Sequence, residues 1–112
     1  MDVELAAQQL EALGNITRLR IYRALVRAGP SGLPVARVQA QLELPASTLS
    51  HHLHKLVSQG LVRQERSGTT LNCHTEYPAM IALLGYLADE CCADDPEAGD
   101  LDTGIRPSKD PA

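Results

Sequence analysis

The chain has no tryptophan and no phenylalanine, and only three tyrosines among its 112 residues. Its core must therefore be built from Leu, Val, Ile and Ala. The same absence leaves little aromatic surface for stacking single-stranded bases or a flat cofactor. No apolar run approaches the roughly 20 residues that a membrane span needs. The opening Met1-Asp2-Val3-Glu4 lacks the basic segment of a secretory leader. Cysteine occurs three times, an odd number without framework spacing, so free thiols in a cytoplasmic protein are expected. No cysteine is matched with a histidine in a pocket motif, which argues against a thiol enzyme. A chain of this length supports one domain with a modest core.

Acidic charge is scarce where it would repel a polyanion. The net charge of −4 is misleading taken whole. Residues 93–112 hold six acids and two bases, whereas 1–92 is neutral. Between Asn15 and Thr70 there are eight bases and only two acids, Glu43 and Glu65. A basic middle in an acidic chain is the electrostatic footprint of a nucleic-acid face.

What is there centres on Leu44 to Arg66. Leu49, Leu53 and Leu56, with Val57 beside them, make one apolar stripe at helical spacing. Pro45 precedes this helix and Gly60 ends it. The opposite face carries Ser47, Thr48, Ser50, His51, His54 and Lys55. Such short polar side chains let a helix approach base edges and phosphates closely. After Gly60 the period becomes two, with Arg63 and Arg66 on a first strand, a turn at Ser67-Gly68, and a second extended run from Thr70 to Tyr77.

The remaining chain frames that stretch. Asp2 caps a helix from Val3 to Leu13, in which Val3, Ala6, Leu10 and Leu13 form a narrow stripe. A second helix spans Ile16 to Ala28. Its Ile16, Leu19, Ile21, Tyr22, Leu25 and Val26 are expected inward, with Arg18, Arg20, Arg23 and Arg27 outside. Gly29-Pro30-Ser31-Gly32 breaks the chain, and Pro34 starts a third helix with Val35, Val38 and Leu42 inward. Pro78 opens a last helix, Ala79 to Cys91, apolar on much of its circumference and so a candidate to be covered by a second copy. The expected architecture is mostly α with a small β-hairpin, a winged helix-turn-helix over 1–92. The acidic, Pro- and Gly-rich 93–112 reads as a disordered tail.

Three motifs carry a resemblance. Leu13-Gly14-Asn15-Ile16-Thr17-Arg18-Leu19-Arg20-Ile21, Ser47-Thr48-Leu49-Ser50-His51-His52-Leu53 and Gln59-Gly60-Leu61-Val62 look like the ArsR/SmtB family of metalloregulatory repressors. The resemblance covers about Leu5 to Cys92. It implies a homodimer that holds a palindromic double-stranded operator until an effector loosens it. The residues matching the family's DNA contacts are Ser47, Thr48, Ser50 and His51, to which the basic pattern adds Lys55, Arg63 and Arg66. Many relatives have Gln where this chain has Ala46, so base readout there is reduced.

The family's cysteine cluster before the reading helix is missing, since the matching stretch is Leu42-Glu43-Leu44-Pro45. The zinc-type site is poorly matched as well, because the last helix offers Asp89 and Glu90 but no histidine. What remains is Cys73, Cys91 and Cys92, similar to relatives whose arsenic-sensing cysteines lie at the C-terminal helix end. Trivalent arsenic is thiophilic. Arsenite accepts three thiolates and methylarsenite two, so all three cysteines or any pair qualify, and antimonite is a further candidate effector. No permanent cofactor is expected. Neighbouring helical residues point about 100° apart, so Cys91 and Cys92 share one centre only if the helix end frays. Two other readings stay open. A lone cysteine such as Cys73 is often a small buried hydrophobe. A cysteine pair can also serve a redox or persulfide sensor, although the nearby carboxylates disfavour reactive thiolates. His51 and His54 share the polar face, and His52 is expected against the core edge.

Overall fold

A computed structural model describes residues 1–97. Five helices and a three-stranded sheet follow in the order α1 (Val3–Leu13), α2 (Ile16–Ala28), a 3-10 turn (Gly29–Ser31), β1 (Leu33–Pro34), α3 (Val35–Leu42), α4 (Ala46–Ser58), β2 (Val62–Ser67), β3 (Thr70–Thr75) and α5 (Tyr77–Ala88). Side-chain caps set the first two helices: the Asp2 carboxylate accepts from the Leu5 N–H and the Asn15 side chain from the Arg18 N–H. Gly60 turns left-handed (φ +75°), and the Leu61 N–H then reaches back to the Leu56 carbonyl at 3.0 Å. That reversal delivers the chain from α4 into the wing.

The sheet is antiparallel in the order β1-β3-β2. Ser67 pairs with Thr70 around Gly68-Thr69, and Cys73 lies between Leu33 on one side and Gln64 on the other. The two-residue β1 is an addition to the expected hairpin. It is too short to show any periodicity, and Pro34, which donates no backbone hydrogen bond, sits on an edge as it must. The second wing strand stops at Thr75. Tyr77, expected to be extended, instead begins α5, where the Pro78 ring fits the first turn.

Ile21, Leu25, Val38, Leu49, Leu56, Leu61 and Cys73 are the largest fully buried side chains, with Leu53 and Tyr22 beside them. The Leu49–Leu53–Leu56 stripe is therefore the inward face of α4, while Val57 is exposed. On α1 the inward face is Ala6, Gln9 and Ala12, and Val3 and Leu10 point outward. Small residues let α1 approach closely, and Gln9 Nε2 donates to the Gln59 carbonyl at 2.9 Å. Ile16 and Leu19 are also exposed rather than inward, because no described element covers that side of α2. Arg18 departs from the expected outer row. Its Nε donates to the Ala12 carbonyl at 2.6 Å and its Nη1 to His52 Nδ1 at 3.3 Å, tying α1, α2 and α4 together. His52 itself is half-buried. Burial first, then the Arg18 and His51 charges, push its pKa down.

Tyr22 is buried with its hydroxyl unpartnered, and burial followed by Tyr77 pushes its pKa up to about 12. A raised folded-state pKa stabilises the fold below the unfolded value and loses that contribution as pH rises. Urea stability should therefore fall from about pH 10 towards pH 12. In Tyr22→Phe that fall should shrink, while stability at pH 7 stays within about 1 kcal/mol because no hydrogen bond is lost. Of the tail expected from residue 93, only turns to Glu97 are described. Residues 98–112 lie outside the described residues. Among the described residues, no helix is long and apolar enough to cross a membrane.

Candidate DNA interface and thiol pair

The structure places Ser47, Ser50, His51 and His54 on the exposed face of α4, with Thr48 half-buried at its edge. Pro45 stands at the N-cap and no side chain caps the helix. The first-turn N–H groups are left for another acceptor, and a helix N-terminus in that condition attracts phosphate. At the far end Lys55 is held by Glu11 of α1 at 3.1 Å. On the wing, Arg63 pairs with Glu65 and lies 3.6 Å from Glu76, whereas Arg66 is exposed at the hairpin tip without a carboxylate partner among the described residues. The seven residues expected to meet DNA thus divide: five are unengaged by charge pairs, and Lys55 and Arg63 are held in surface ion pairs. Such pairs are weak, about 0–1 kcal/mol. Arg66→Ala should reduce the salt dependence of DNA binding by about one unit of slope per contact. Arg63→Ala should change it less. Anisotropy titrations at several salt concentrations give both numbers, and equal slopes for the two variants would contradict the pairing.

The cysteines divide too. Cys73 is fully buried in the central strand, and Gln64 Nε2 donates to its sulfur at 3.5 Å. Burial pushes its thiol pKa up, partly offset by that hydrogen bond. It is a core side chain here. Cys91 and Cys92 are exposed. They lie after α5, not on it, because the helix ends at Ala88. The apolar repeat of α5 has its last member at Leu87, and that signal was available to mark the end. Glu90 (φ +59°) and Cys92 (φ +64°) then take left-handed turns, and the Cys91 N–H reaches the Ala88 carbonyl at 3.2 Å. These turns bring the two sulfurs to 3.5 Å, which a regular helix would not allow. The shared hydrogen bond, chiefly, pushes the Cys91 thiol pKa up. The three thiols do not converge: among the described residues, no three His, Cys, Asp or Glu side chains are placed to hold one ion.

The chain matches known proteins in sequence and in fold. A helix-turn-helix domain family covers residues 13–65. The nodulation protein NolR of Rhizobium meliloti is 35% identical over 88 residues, covering 79% of this chain and 70% of NolR. HlyU from Vibrio cholerae, one of whose structures is of the reduced protein, is 34% identical. That match covers 78% of this chain and 97% of HlyU, with a TM-score of 0.62. An ArsR family transcriptional regulator at 23% identity shares the fold over 77% of this chain and 91% of its own, with a TM-score of 0.66. The chain belongs to the ArsR/SmtB family. It is a DNA-binding transcriptional regulator and not an enzyme. AntR, an antimony-specific transcriptional repressor, is 28% identical over 77% of this chain and 73% of its own, with a TM-score of 0.57.

Proposed function

We propose that this ArsR-family regulator is a homodimeric repressor of a palindromic operator, released when a trivalent arsenical bridges Cys91 and Cys92. The observation that carries the reading is the exposed sulfur pair at 3.5 Å. Two bonds of about 2.3 Å, the usual length to a ligating thiolate, to sulfurs that far apart subtend about 100°. That is the angle of a pyramidal trivalent centre and is narrower than a tetrahedral one. Methylarsenite fits best, because it has two exchangeable hydroxyls and the chain offers two converged thiols. Each thiol hydrogen leaves with an arsenic-bound hydroxyl as water, two As–S bonds replace two As–O bonds, and arsenic stays trivalent. Arsenite or antimonite can accept a third thiolate, which Cys73 does not provide within one chain. The antimony specificity of AntR supports metalloid sensing by this fold. A redox or persulfide switch is less favoured, since the Cys91 pKa is raised and Asp89, Glu90, Asp94 and Asp95 surround the pair in sequence.

The dimer rests on α1 and α5, whose Val3, Leu10, Leu84 and Leu87 are exposed apolar side chains on adjacent helices. Two copies would set their reading helices about one DNA turn apart. Leu87→Asp should weaken self-association at least about tenfold, the effect of roughly 1.4 kcal/mol. Sedimentation equilibrium reads it, and unchanged association would move the interface elsewhere. The function itself is tested by anisotropy of reduced protein on its upstream DNA, titrated with methylarsenite, arsenite and an oxidant. Release by methylarsenite at the lowest concentration supports the reading. Release by oxidant alone would replace it with the redox one.

A further inference from the structure

Outside the surfaces used so far, α2, β1 and α3 line an open groove of about 750 Å³. Its floor includes Ile16, Leu19 and Leu42, and the first two are the apolar residues that nothing described covers. Its rim is Arg20, Arg23 and Arg27, which share one helical face. No acidic side chain lines the groove, and none of the three arginines has a carboxylate partner among the described residues. Three cations around an apolar floor call for a ligand that is both acidic and apolar.

The chain contains such a segment. Asp94, Asp95 and Glu97 lead out of the described residues, and Gly99-Asp100-Leu101-Asp102-Thr103-Gly104-Ile105 follows. From Asp94 to Ile105 there are five acids, no base, and two large apolar residues, Leu101 and Ile105, at a spacing of four. The eight residue steps from Glu97 to Ile105 extend up to about 27 Å, most of the diameter of a small domain. A segment without a core of its own can still be ordered by a surface that complements it. We infer that the groove on α2 is the docking site of this chain's own acidic segment, with Asp100 and Asp102 against Arg20, Arg23 and Arg27, and Leu101 and Ile105 over the apolar floor. Docked there, the segment neutralises a basic face away from α4 and the wing. It thereby lowers the chain's sequence-independent attraction to phosphate. The inference does not depend on what the thiol pair binds.

The test is NMR of the ¹⁵N-labelled full-length protein. At low salt the amide heteronuclear NOEs of Leu101–Ile105 should stand well above those of Lys109–Ala112, the last four residues, which serve as the internal reference. They should drop to that reference in about 1 M NaCl, where the Debye length is ~3 Å. The same loss should appear at low salt in the triple variant Arg20→Gln, Arg23→Gln, Arg27→Gln, and in Leu101→Ser with Ile105→Ser. In the second pair the folded domain is untouched, so misfolding cannot imitate the result. Equal NOEs for the two tail regions in the unaltered protein would overturn the inference. So would high NOEs that survive the triple variant. Decanoate, an acidic and apolar small molecule, supplies the last arm. Should it shift the Leu19–Ala28 amides while the tail is already free, the groove belongs to a small ligand and the inference fails.

Discussion

Gly32→Ala is expected to unfold much of the population at temperatures where the parent protein is stable. Gly32 has φ +70°, and a Cβ built there would lie 2.4 Å from the Cys73 carbonyl oxygen and 2.6 Å from His74 Nδ1. Neither neighbour can give way easily. Cys73 sits on the central strand, paired on both sides. The His74 ring is itself held, with Nδ1 3.2 Å from the Pro30 carbonyl. The left-handed backbone costs an L-residue about 1–2 kcal/mol and forced overpacking about 1–3 more. At about 4–8 °C per kcal/mol for a domain of this size, the melting temperature should fall by roughly 8–40 °C. Gly60→Ala is the control. Its φ is +75°, but nothing stands within 4 Å of the added carbon, so only the backbone term applies. If thermal melts show the two variants equally destabilised, the close approach of the α2–β1 connection to β3 is not what fixes this glycine.

That contact also shows which parts of the fold could be read from the chain. The bounds of α1 and α2 were legible because Asp2, Gly14, Asn15 and Gly29 are local signals, with capping bonds of three residues' reach. The inward face of α4 was legible because three leucines keep one period. The contact of Gly32 with β3 joins residues some forty positions apart and leaves no local trace. Ile16 and Leu19, expected inward, were misplaced for a similar reason, whereas Val3 and Leu10 were expected only as a stripe that packs on something. Val3, Leu10, Ile16 and Leu19 are as apolar as core residues, and periodicity does not say whether the same chain or another body covers them. In α1 the true inward face is the weaker signal, two alanines and a glutamine, because closeness rather than area is what that contact needs. At the thiol site the residue types were legible and the geometry was not. Two left-handed non-glycine residues, Glu90 and Cys92, produce the convergence, and such conformations are rare for these residue types.

The double variant Cys91→Ser, Cys92→Ser is expected to bind operator DNA within about twofold of the parent, a difference below roughly 0.5 kcal/mol, and to lose its response to methylarsenite. Both sulfurs are exposed and belong to no core contact, so their removal costs the fold little. Each single variant should lose nearly as much as the double, since one thiol leaves arsenic with one exchangeable hydroxyl and no chelate. This non-additivity separates a shared centre from two independent thiols. Cys73→Ser should do the opposite. It places a hydroxyl in the core and should lower stability by about 1–3 kcal/mol while leaving the response intact. An arsenical acting on the DNA affinity needs unequal affinity for the free and DNA-bound forms, typically a coupling of about 1–3 kcal/mol. The pair follows immediately after the helix whose Leu84 and Leu87 are exposed, the surface proposed above for the second copy. If Cys73→Ser alone abolished release while the fold remained intact, the thiol centre would have to be assembled with Cys73, and its burial in the single chain would then have to open on binding.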